Sequence, residues 1–157
     1  MRNRDSIIPA GNVPWGTHFC QFYQTKRHLT DVLVPYFKKG LENHEFCVWV
    51  TSRTVTTGEA RKALSAVVPD LAKREVKGQF EVFAYTDWYL AGGRFDMKRI
   101  LDGWAEKYGL GLDRGYAGLR VSGDTAWLES ENWADFSAYE QSIDGAIAGS
   151  RILVLCT

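Results

Sequence analysis

A histidine and a cysteine separated by one residue, His18 and Cys20 in the stretch GTHFCQFY (16–23), are the pair in this chain whose types and spacing best suit chemistry. In an extended strand, alternation places His18, Cys20 and Phe22 on one face and Phe19, Gln21 and Tyr23 on the other. His18 and Cys20 then stand about 7 Å apart, at a rise of ~3.3 Å per residue. An imidazole and a thiolate at that reach can share a soft divalent ion, but a structural zinc site takes four ligands and no second pair is visible in the sequence. Cys156, in the last apolar run, would supply a third ligand if its strand lay beside the first. Against the metal reading stands a plainer one, a buried thiol and a satisfied histidine. Two others are a cysteine nucleophile with His18 as its base, to which mid-strand burial gives substrate little access, and a redox-sensing Cys20.

A second concentration is Tyr85-Thr86-Asp87-Trp88-Tyr89-Leu90, followed by Gly92-Gly93-Arg94-Phe95-Asp96. Asp87, Trp88 and Tyr89 set an acid among large aromatics where a strand passes into a helix, which suits a pocket for a small apolar molecule with one polar handle. The alternative is that Trp88 and Tyr89 cap the helix layer. Arg120, Ser122, Asp124 and Trp127 form a similar group, although its arginine and aspartate suit a structural pair somewhat better than a ligand site.

Phosphate-binding signals are weak. Gly11-x4-Gly16-Thr17 has the glycine spacing of a phosphate loop but lacks its lysine and precedes the first strand, while the turn after that strand, Gln24 to His28, has no glycine. Gly109-x-Gly111-x3-Gly115 has the wrong spacing for a dinucleotide fingerprint and follows a helix. An atypical nucleotide-binding ATPase using Lys26 is therefore an alternative, not the leading expectation.

The elements that must position these groups read as five strands and four helices. Strands are expected over Thr17–Tyr23, Phe46–Thr51, Gln79–Tyr85, Tyr116–Ser122 and Arg151–Thr157, from their β-branched and aromatic content. Helical spacing of apolar residues predicts helices over Arg27–Glu42, with Pro35 expected to kink it or break its hydrogen-bond ladder, and over Thr57–Val68, ending at Pro69. Two more are expected from an Asp96 N-cap to Gly109 and over Asn132–Ile147. Strict alternation predicts an α/β fold: one three-layer domain with a mainly parallel five-stranded sheet and helices on both faces. The continuous apolar runs FCVWV and ILVLC fit strands buried on both sides. Ligands of such sheets bind at the carboxyl ends of the strands, which points to the loops 23–28, 51–57, 86–95 and 123–131.

At 157 residues the chain suits a single domain, expected as an N-terminal arm over 1–16 and a folded unit over 17–157. Nineteen basic residues balance nineteen acidic ones, so no direct nucleic-acid or anionic-membrane partner is indicated. No apolar stretch approaches the roughly 18 residues of a membrane span, and the polar N-terminus does not read as a signal peptide. A cytoplasmic location with three reduced cysteines is the expectation. Six Trp, seven Tyr and eight Phe make the chain unusually aromatic, which fits a lined pocket or a large interface.

The blocks HFCQFY, LVPYFKKGLENHEFCVWVTS, DWYLAGGRFD, GYAGLRVSGDTAWL and the closing LCT, in order and in spacing, resemble the MEDS family. This is the sensory domain of methanogen and methylotroph regulators, including a dichloromethane-responsive repressor. The resemblance spans about Thr17 to Thr157. It implies a RecA-like α/β fold without a working phosphate loop and a non-catalytic sensory role in signal transduction or transcription regulation. The ligand it implies is a small, one-carbon or hydrocarbon-derived molecule; it names no cofactor. It carries ligand contact over to His18 and Cys20. The partner it implies is an output module such as a histidine kinase or helix-turn-helix regulator, in cis or in trans; a second copy of the chain and a ligand-free interaction module are the further partner readings. The ligand-binding set expected from residues and resemblance together is His18, Cys20, Tyr23, Asp87, Trp88, Tyr89, Arg120, Asp124 and Trp127, with His18 and Cys20 as metal candidates.

Overall fold

A strand that is apolar without alternation must be covered on both faces. The computed structural model, which describes residues 13–157, places two such runs, FCVWV and ILVLC, within its sheet. The strands are β1 (His18–Cys20), β2 (Phe46–Thr51), β3 (Phe80–Ala84), β4 (Leu119–Gly123) and β5 (Ile152–Cys156). They form one sheet in the order β1-β5-β4-β2-β3, parallel throughout. All six residues of β2 and all five of β4 are buried, as central strands require. The fold class is thus α/β with a five-stranded parallel sheet. The arm expected over 1–16 lies mostly outside the described residues.

Helices α1 (Lys26–Glu42), α2 (Thr57–Ser65) and α3 (Leu71–Val76) cover one face. Leu29, Leu33, Phe37, Ala60, Leu64 and Leu71 pack there against Cys47, Trp49, Phe80 and Leu155. The α1 backbone comes so close that a Cβ on Gly40 would meet Arg120 and Cys47 at 2.6–2.7 Å. The short α4 (Tyr85–Trp88), α5 (Met97–Asp113) and α6 (Trp133–Ile147) belong to the other face. There Ile100, Trp104, Phe136, Tyr139, Ile143 and Ile147 pack against Val48, Val50, Leu119, Val121, Ile152 and Val154.

Several boundaries follow local chemistry. Thr25 caps α1, Thr56 and Glu59 form a reciprocal capping box on α2, and Asp96 caps α5 as expected, accepting from the Arg99 amide at 3.0 Å. Others differ from the sequence reading. Pro35 lies inside an uninterrupted α1, the loss of one amide donor being offset by the buried stripe on either side of it. Strand β1 is three residues long instead of seven, ending at Cys20 opposite Cys156, the last residue of its partner β5. Gly109 does not end α5; the helix runs to Asp113 and stops before Gly115, whose φ of 84° is the left-handed conformation that suits a helix end. Among the described residues no helix is long and apolar enough to cross a membrane.

Candidate functional site

The register of the edge pair builds the site. His18 aligns with Val154 and Cys20 with Cys156, so all four share the face covered by α6. Helix α6 buries Phe136, Tyr139, Ile143 and Ile147 on the sheet. One position on from Tyr139 and Ile143 lie Glu140 and Asp144, and both reach His18. Its Nε2 lies 3.3 Å from Glu140 Oε2, and its Nδ1 lies 2.9 Å from Asp144 Oδ1. The Cys156 thiol reaches Glu140 Oε1 at 3.7 Å. One ligand atom from each of His18, Cys20, Glu140 and Cys156 lies within 4.8 Å of the other three.

The two contacts of His18 differ in kind. The bond through Nδ1 is aligned, whereas the approach of Glu140 to Nε2 is a charge contact off the ring N–H direction. Among the described residues Nε2 is therefore buried without a hydrogen-bond partner. The Glu140 carboxylate, with Asp144 adding to it against the opposing effect of burial, raises the His18 pKa to about 9. The Cys156 thiol beside it, opposed by burial, lowers Cys20 to about 7. The same pairing of thiols, together with its own burial, pushes Cys156 up. The pair thus divides into an exposed, acidic thiol at Cys20 and a half-buried, proton-retaining one at Cys156. Two sulfurs, an imidazole nitrogen and a carboxylate together are a donor set for thiophilic divalent cations.

An apolar wall adjoins the cluster. Gly123, the Cα partner of Cys156, is covered by the Tyr89 hydroxyl, which a Cβ at that position would meet at 1.9 Å. Tyr89 stacks on Trp127 with ring centroids 5.2 Å apart, and Phe95, Phe136 and Tyr139 complete a contiguous aromatic group. Tyr89 and Trp127, both expected at a ligand site, are almost wholly buried in this wall.

Between β2 and β4 the chain leaves in opposite directions, toward β3 and toward β5, which is the switch point where open parallel sheets form crevices. Tyr23 closes it. Its hydroxyl lies 2.8 Å from Thr54 Oγ1 and 3.0 Å from both carboxylate oxygens of Asp124, while the Ala126 amide donates to Asp124 Oδ1 at 2.9 Å. Burial raises the Asp124 pKa despite hydrogen bonds from Ser52, Ala126 and Tyr23.

The remaining expected residues lie elsewhere. Trp88 packs on Trp104 and Phe83 in the helix layer and, with Asp87, lines a separate groove of about 470 Å³ along the start of α5. Arg120 is not brought to Asp124 and Trp127. It sits near the start of β4, where Glu45 holds it at 2.5 and 3.2 Å and the Tyr36 carbonyl accepts from it. A charged residue in a central strand draws attention in a sequence, but here burial is answered by an opposite charge. Lys26 pairs with Glu59 at 2.8 Å. Glu140 and Asp144 were missed, since acids four apart on an amphipathic helix look like a solvated edge; the available signal was their position flanking the buried stripe of α6.

The fold and this cluster define a parallel α/β domain with a histidine, thiol and carboxylate site where its edge strand meets β5. A family model described as MEDS, the methanogen/methylotroph, DcmR sensory domain, matches residues 17–157, and the chain belongs to that family of sensory domains. No curated protein matches the chain.

Proposed function

We propose that the domain senses a small hydrocarbon derivative of about one-carbon size, without catalysis, on behalf of a signal-transduction or transcription-regulatory output module in cis or in trans. The observation that carries this reading is the convergence of His18, Cys20, Cys156 and Glu140 beside the aromatic wall, with Cys20 open to solvent. Such a site offers polar contacts to a functional group and apolar surface to a short carbon skeleton. Glu140 and Asp144 sit on successive turns of α6, so a ligand that displaces either from His18 changes what holds that helix against β1. Binding shifts the conformational balance only by its differential affinity for the two arrangements. Nucleotide binding is disfavoured by the glycine-free turn after β1 and by the engagement of Lys26 with Glu59.

The test is thermal stabilisation by methanol, methylamine, methanethiol and dichloromethane, applied to wild type, His18→Ala/Cys20→Ala and Trp88→Ala. Stabilisation lost in the double variant and kept in Trp88→Ala supports the assignment. The reverse pattern moves the site to the groove beside α5, and no shift with any compound refutes the ligand class.

A further inference from the structure

We infer that His18 Nε2, Cys20 Sγ, Cys156 Sγ and one carboxylate oxygen of Glu140 bind a single thiophilic divalent cation, zinc being the best fit, with Asp144 holding the histidine from behind. The inference deepens the sensory reading by naming what the same site holds, and rests on that reading for its role but not for its chemistry.

Geometry supports it first. In a tetrahedral zinc site, metal–ligand distances of roughly 2.0–2.3 Å separate neighbouring donor atoms by roughly 3.3–3.8 Å. The Glu140 carboxylate lies at such distances from two other donors, Oε2 at 3.3 Å from His18 Nε2 and Oε1 at 3.7 Å from Cys156 Sγ, so a small rotation of the carboxylate offers one oxygen to the ion. The whole set, within 4.8 Å, needs only side-chain adjustment to contract onto an ion. Three donors come from two strands locked in register and the fourth from a helix packed over them, so the arrangement is held by the fold.

The histidine is an independent indication. Its side chain is only 8% exposed, and Nε2, 3.3 Å from the Glu140 carboxylate, makes no aligned hydrogen bond among the described residues. Nδ1 is meanwhile tied to the Asp144 carboxylate at 2.9 Å. With one proton kept on Nδ1 by Asp144, the imidazolium can release the other from Nε2 to an incoming ion, on the side that faces Glu140 and the two sulfurs. This is the carboxylate–histidine arrangement that fixes the tautomer and orientation of a metal-binding imidazole. Three nitrogen and sulfur donors against one oxygen disfavour magnesium and calcium. Cys20, exposed, provides the path of entry, and the bound ion displaces the Nε2 proton of His18 together with the thiol protons that Cys20 and Cys156 still carry.

The experiment is cobalt(II) titration of reduced, chelator-treated protein, followed by absorption and displaced by zinc. One equivalent should give tetrahedral d–d bands with thiolate-to-cobalt charge transfer, and zinc should abolish both. Cys20→Ser/Cys156→Ser should lose the charge-transfer band while circular dichroism shows the fold retained. Asp144→Asn, a change at an exposed residue, should keep the spectrum but weaken affinity roughly 10- to 100-fold. Absence of the band in reduced wild type, or its survival in the double serine variant, overturns the inference. Thermal shifts of metal-free protein with the one-carbon compounds separate the two ideas. A His18-dependent shift without cobalt binding keeps the sensory reading and discards the metal; cobalt binding without any shift does the converse.

Discussion

Cys20 and Cys156 stand opposite one another across the β1–β5 ladder, Cα partners in a parallel register, and the second thiol donates to Glu140 Oε1 at 3.7 Å. The partnership makes the two sulfurs chemically unequal, although each lies in an apolar run of similar composition. Cys47, the third cysteine, is completely buried in the opposite layer, and burial pushes its thiol up.

Alkylation of metal-free, reduced protein should therefore be selective. The iodoacetamide rate at Cys20, followed by peptide mass spectrometry, should rise with a midpoint near pH 7. Cys156→Ala removes the neighbouring thiol and should move that midpoint up, toward the ordinary value of about 8.5. Cys47 should stay unlabelled. A wild-type midpoint at the ordinary cysteine value would contradict the stabilised thiolate.

Asp124 should give stability a pH dependence of definite sign. Burial raises its native pKa above that of the unfolded chain, so the protonated form is favoured in the fold. Its contribution is full below the ordinary carboxylate range and is lost as pH rises through the raised native value. Asp124→Asn, which keeps an acceptor for Tyr23 and Ala126 but cannot ionise, should gain on wild type from acid to neutral pH in denaturant unfolding. A constant difference across that range would show that the carboxyl titrates alike in both states.

Glu45 and Arg120 are 3% and 6% exposed, and their pairing fixes the amino end of β4. Glu45→Ala leaves a buried guanidinium without its partner and should cost about 3–5 kcal/mol. Replacing both by methionine should recover most of that loss. Because the pair lies away from the carboxyl edge, the Cys20 alkylation rate of folded double variant should match wild type; a large change would mean that Arg120 acts on the site.

Gly123 is constrained by space. A methyl group there meets the Tyr89 hydroxyl at 1.9 Å, so Gly123→Ala should destabilise by about 1–3 kcal/mol. Tyr89→Phe removes the nearest atom and leaves ring carbons at 3.0 and 3.4 Å, so in that background the same change should cost less. Equal costs in both backgrounds would show that the hydroxyl is not the obstacle.

The sequence by itself determined the class of the fold. Runs such as FCVWV and ILVLC, alternating with helical stripes, leave little besides a parallel sheet covered on both faces, because apolar periodicity is a local property. It also placed His18 and Cys20 on one face, since strand alternation is local too. Which strands are neighbours is not local: the crossover helices and the packing of two cores set β1 at the edge beside β5 and so brought Cys156 to Cys20. Only the tertiary structure turned Glu140 and Asp144 from apparent surface acids into partners of His18, and Arg120 from a candidate ligand contact into half of a buried ion pair. A charged side chain takes its meaning from what desolvates and faces it, and those groups come from elements far away in the chain.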